Sequence, residues 1–124
     1  MNYLTLSAAL LMGLTTGVHL FVGTQEIMPP ILEAATIDPV VKGVALVVWH
    51  MITLILACST VAIAYLARNR NKAMVVLQIT LNAGFAVIFL VVNAVMFEAL
   101  LTMPQWTAFS LITVLMMVSW AKAA

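Results

Sequence analysis

Residues 3–25, 43–67, 73–97 and 99–121 contain no Asp, Glu, Lys or Arg. Each of these runs exceeds the roughly 20 residues that a helix needs to cross about 30 Å of hydrocarbon. Inside a bilayer every backbone N–H and C=O must find its partner within the protein, which leaves helices or a closed barrel. Long apolar runs without period-two alternation select helices. The sequence therefore predicts an all-α fold, an integral membrane four-helix up-down bundle. It forms a single domain over 1–124, with helices at about 3–28, 40–67, 72–101 and 105–122. Composition agrees: 65% of residues are hydrophobic and 7% charged, and the mean hydropathy is +1.20, which excludes a water-soluble domain. The net charge of +1 leaves no electrostatic footprint for nucleic acid.

The first run is read as a span rather than a signal peptide. No basic segment precedes it and it is too long for a typical signal core. Arg68, Arg70 and Lys72 place three of the five cations in one short connection, so that loop is expected in the cytoplasm. Both termini then share the cytoplasmic side of what is expected to be a bacterial inner membrane. Glu33, Asp38 and Glu98 fall on the outer side. Met28-Pro29-Pro30 should close the first helix, Asp38 should cap the second with Pro39 in its first turn, and Pro104 should mark the start of the fourth. Cys58, the single cysteine, lies mid-helix and serves packing.

Within this apolar frame stand two histidines, His19 and His50, each at a similar distance from the connection between the first two helices. An antiparallel hairpin would set them side by side. Ionisable groups at that depth are costly and mark ligand, cofactor or proton sites. At about 100° per residue, Ala8, Met12, Thr15, Gly23 and Glu26 share the face of His19, and Gly43, Ala57, Val61 and Arg68 share that of His50, with Thr53 nearby. Helix three carries Gln78, Asn82, Phe89 and Asn93 on one stripe. Helix four carries Trp106, Ser110, Thr113, Met117 and Trp120 at spacings suited to a packed seam. These faces are expected to point inward. Depth groups His19, His50 and Asn93 in one layer, with Glu26, Glu98 and Lys42 nearer the outer surface. Glu26 stands roughly 10 Å along the axis from His19.

Three readings of that layer are open. His19 and His50 could clamp a haem b as axial ligands, with Asn93 lining the site. They could instead hold a transition metal, iron or copper, with Glu26 as a further ligand, Glu26 and Glu98 moving protons, and a lipophilic small molecule as the substrate of a redox reaction. Met28, Met96 and Met103 would suit copper. The third reading is non-enzymatic: an accessory subunit of a homo-oligomer or larger membrane complex, or a small-molecule passage, whose polar seam serves helix packing. On that reading a histidine simply donates to a backbone carbonyl, the amides of helix three are interhelical glue, and the glutamates are solvated at the interface. Trp106, Trp120 and Tyr3 become interfacial anchors, and the methionines core filler. No dinucleotide, P-loop, zinc-protease, paired-cysteine or nucleophile-elbow motif occurs to favour an enzyme.

The run His19-Leu20-Phe21-Val22-Gly23-Thr24-Gln25-Glu26, followed by Pro29-Pro30, Trp49-His50 and Pro104-Gln105-Trp106, resembles a set of small bacterial four-helix membrane proteins. These carry a His, Gly and Glu cluster in helix one and a Trp-His pair in helix two. The resemblance spans most of the chain and implies a helical hairpin with paired histidines. No activity follows from it. In that set the glutamate directly follows the glycine, whereas Thr24 and Gln25 intervene here.

Overall fold

A computed structural model describes residues 1–122 of the chain. They form four helices: α1 (Tyr3–Glu33), α2 (Pro39–Leu66), α3 (Lys72–Phe97) and α4 (Gln105–Lys122). No strand occurs among the described residues. The first three helices are long and apolar enough to cross a membrane. The fourth runs from Gln105 to Lys122 over 18 residues, the bounds expected from Pro104 ahead of it.

Side-chain caps fix where the helices begin. Asn2 Oδ1 accepts from the N–H groups of Leu4 and Thr5 at the start of α1. Asp38 Oδ1 accepts from Val40 N–H at 2.8 Å ahead of α2, with Pro39 in the first turn as expected. Asn71 Oδ1 accepts from Met74 N–H ahead of α3. Each cap satisfies a donor that the helix itself leaves without a partner.

The ends depart from expectation in two places. α1 continues through Pro29 and Pro30 to Glu33. These prolines lie close to the helix end, so the carbonyls they leave without an N–H are those of Gln25 and Glu26, both exposed residues. α3 stops at Phe97, short of residue 101, because Glu98 adopts a left-handed conformation with φ 50° and ψ 23°. A residue in that region ends the helical ladder.

Neighbouring helices run antiparallel in the spatial order α2, α1, α4, α3, while α2 meets α3 only sparsely. Asn2 N–H donates to Ala67 O at 2.7 Å, and the hydroxyls of Thr16 and Thr60 lie 3.2 Å apart further along the α1–α2 seam. Thr5 and Ser119 join α1 to α4 through hydroxyls 2.6 Å apart. Phe109 of α4 packs against Phe85 and Phe89 of α3, with ring centroids at 5.1 and 6.0 Å.

Buried residues recur at alternating steps of three and four: Leu56, Ser59, Ile63 and Leu66 on α2, and Phe109, Ile112, Met116 and Ser119 on α4. That spacing is the signature of a knobs-into-holes seam. Ala8, Ala9 and Gly13 let α2 approach α1 closely; a Cβ on Gly13 would stand 3.4 Å from Thr60 Cγ2. The aliphatic core occupies the half of the bundle that ends in the Arg68–Lys72 loop, here termed the basic end. Toward the opposite, acidic end, Met28 and Asn93 are the buried residues of segments 18–55 and 87–108.

The inward faces of α1 and α3 are those the sequence indicated, through Ala8 and Met12 and through Gln78, Asn82 and Asn93, although Glu26 is exposed. Those of α2 and α4 are rotated by one residue. Gly43, His50, Val61 and Arg68 are exposed, and half-buried Trp49 and Ile52 instead continue the row of Leu56, Ser59 and Ile63. On α4, Met117 is exposed, while Trp106, Ser110, Thr113 and Trp120 flank the seam half-buried. Both helices carry apolar residues on every face, so phase on α2 is read from His50, which faces outward while Ser59 lies in the buried row.

Ile63→Ala should cost about 3 kcal/mol by leaving a cavity in a fully buried site. Val61→Ala, on the adjacent exposed face, should cost less than about 0.5 kcal/mol. Thermal unfolding of the two variants in detergent checks the order, and equal losses would contradict the observed phase of α2.

A histidine–tryptophan junction as candidate functional site

The acidic half of α1 contains a widened π turn over Val18–Gly23. Single π turns inside α-helices are rare and recur at functional positions. Here Thr24 N–H reaches back to the carbonyl of His19, and the Thr24 hydroxyl donates to the same oxygen at 3.4 Å. The turn brings His19, Gly23 and Thr24 together against one side chain of α2, Trp49.

Three contacts define the junction. The His19 imidazole lies flat on the Trp49 indole, with centroids 4.1 Å apart and planes inclined by 18°. His19 Nε2 donates to the Trp49 carbonyl at 3.2 Å, which places the proton of the neutral ring on Nε2 and the lone pair on Nδ1. Trp49 Nε1–H donates to Thr24 Oγ1 at 2.8 Å. Gly23 makes the approach possible, since a Cβ there would stand 3.0 Å from Trp49 Cζ2. The Thr53 hydroxyl also donates to the Trp49 carbonyl, at 3.2 Å.

The sequence-derived site residues do not assemble around this junction. His50 follows Trp49 but projects about 100° away around α2; it is exposed, and no hydrogen bond, ion pair or ring contact joins it to another described residue. Glu26 and Glu98 are exposed, Glu98 at the end of α3. Asn93 is fully buried, yet its amide is fully engaged: Nδ2 donates to Met103 O at 2.7 Å and Oδ1 accepts from Met103 N–H at 2.9 Å. It thereby clamps the α3–α4 loop at the start of a second π turn, Asn93–Phe97. Among the described residues no group of three or more His, Cys, Asp or Glu side chains is arranged to hold a metal ion. The structure does not bring His19 and His50 of one chain together as a clamp: His50 is exposed on an adjacent face of α2. His19, with Nε2 on the Trp49 carbonyl, keeps the lone pair of Nδ1, the arrangement of an imidazole that can still act as a ligand.

Two positions carry more than sequence reasoning assigned them. Thr24 stood out only as an interruption between Gly23 and Glu26, and Trp49 only as a neighbour of His50. The available signal was chemical: a tryptophan within an apolar helix needs an acceptor for its N–H, and a threonine beside a glycine on the facing helix offers one. Elsewhere, Gln78 Oε1 and Asn82 Oδ1 are buried on α3 without a donor among the described residues, while Asn82 Nδ2 donates to Gln78 O at 2.8 Å. Comparison with protein-family models, curated proteins and solved structures finds no match to the chain.

Thr24→Val should leave the Trp49 N–H without an acceptor and cost about 1–3 kcal/mol. Gly23→Ala should displace an indole that His19 and Thr24 hold in place, and so should also destabilise. Unfolding monitored by tryptophan fluorescence in detergent checks both variants; wild-type stability in both would show that the junction carries no load.

Proposed function

We propose that this chain is a four-span membrane protein with both termini in the cytoplasm. Its polar residues serve helix packing, and it acts as a non-enzymatic subunit of a homo-oligomer or larger membrane complex. The observation that carries the reading is the junction at Trp49: the histidine within the bundle is engaged by a neighbouring helix, and the other is presented outward. His50 shares its face with Val47, Met51 and Leu54, which are 59%, 56% and 64% exposed. An ionisable side chain directed at acyl chains in the middle of a span is costly, so a protein surface over that face is favoured. A second reading rests on the same residue. Two copies meeting through α2 would bring two His50 imidazoles together, and a metal or haem between chains would then have ligands that one chain lacks.

Purified in mild detergent, the protein is expected to form a discrete assembly that His50→Arg disrupts, without a Soret band and without stoichiometric iron or copper. A Soret band or bound metal lost in His50→Ala would overturn the packing reading in favour of the second. Insertion has its own check in Cys58, which is exposed in the middle of α2. It should resist a water-soluble maleimide in native membranes and react once the protein is unfolded; prompt labelling in membranes would contradict a spanning α2.

A further inference from the structure

At the basic end, the ends of α1, α2 and α4 and the start of α3 enclose a half-open cavity of about 310 Å³ lined by Asn2, Thr5, Arg68, Arg70, Ser119 and Trp120. Its volume lies at the small end of the roughly 300–1,000 Å³ typical of small-molecule sites. Donors dominate its polar lining. The Arg68 guanidinium makes no hydrogen bond or ion pair with another described residue. Arg70 stands over the Trp120 ring at 4.7 Å, which fixes a second guanidinium at the rim. Thr5 and Ser119, each 5% exposed, share one hydrogen bond, so whichever hydroxyl donates, the other keeps a proton to offer. Asn2 uses its oxygen to cap α1, and its Nδ2 has no acceptor among the described residues. No acidic side chain lines the cavity among the described residues, and the four acidic side chains, Glu26, Glu33, Asp38 and Glu98, belong to the opposite end.

A concave site that offers the Arg68 guanidinium, the Asn2 amide and one hydroxyl proton, with no acidic side chain among its described lining residues, selects an anion, and a planar guanidinium fork matches tetrahedral phosphate oxygens. We propose that this cavity binds a phosphate group, carried either by the headgroup of an anionic phospholipid or by free phosphate. Val75 and Met116 supply an apolar wall against which a lipid glycerol backbone packs, and basic pockets between helices at a cytoplasmic face bind such headgroups. The lipid source rests on the membrane reading above; the anion site does not.

The test uses the full chain in a non-ionic detergent, titrated separately with short-chain phosphatidylglycerol, short-chain phosphatidylcholine and inorganic phosphate. Thermal unfolding and tryptophan fluorescence are followed. Phosphatidylglycerol is expected to raise the unfolding temperature and phosphatidylcholine to leave it unchanged. Arg68→Gln should weaken the apparent affinity by about tenfold, and Arg68→Lys should retain part of it. Lys72→Gln and Lys122→Gln remove the same charge outside the cavity lining and should bind as wild type does. A response to phosphatidylglycerol alone assigns the phosphate to lipid, and an equal response to inorganic phosphate assigns it to the free ion. No response to either ligand overturns the site. So does equal weakening by all three glutamine variants, which would mark diffuse attraction to a basic surface.

Discussion

The contact between His19 and Trp49 holds the bundle together where its aliphatic core is absent. At the basic end α1 and α2 are fastened by Ala8, Met12, Leu56 and Ile63, all buried. Toward the acidic end the buried side chains thin out, and the long halves of α1 and α2 are joined instead by a stacked ring pair, a bond from His19 to the Trp49 carbonyl and a bond from the Trp49 indole to Thr24. Aromatic stacking contributes about 0.5–1.5 kcal/mol beyond burial, and interhelical hydrogen bonds in a membrane setting average about 0.6 kcal/mol. The junction is thus worth a few buried methyl groups, concentrated at one point of an otherwise lightly packed hairpin. The π turn at Val18–Gly23 is what permits it, because the widened turn sets a glycine and a threonine hydroxyl against one indole.

The same device appears on α3. There a second π turn begins at Asn93, whose amide grips both backbone groups of Met103. In both cases a polar side chain inside an apolar helix is matched to a specific partner of the protein itself rather than left open to a ligand. This pairing separates polar residues that organise helices from those that await something outside the chain. His50, with no partner among the described residues, and Arg68 with the Asn2 amide at the basic-end cavity belong to the second group, and the proposals for a partner surface and for an anion rest on them.

The helical class, the cap at Asp38 and the inward stripes of α1 and α3 are legible in the sequence, because charge-free length and polar punctuation depend on local chemistry. The phase of α2 is not. Val44, Val47, Met51, Leu54, Leu56 and Ile63 are apolar on every side, so His50 was the natural marker of an inward face, and the true marker was Trp49 beside it. One residue of rotation turned an expected pair of imidazoles into an imidazole–indole stack. The stop at Glu98 was equally hidden: nothing in the side chain of a glutamate announces a left-handed backbone.

The most direct test of the junction is a pair of double-mutant cycles in lipid bilayers, one between His19 and Trp49 and one between His19 and His50, each read as unfolding free energy. A coupling of about 1 kcal/mol is expected for the first pair and none for the second. Coupling between the two histidines, with none between His19 and Trp49, would contradict the account.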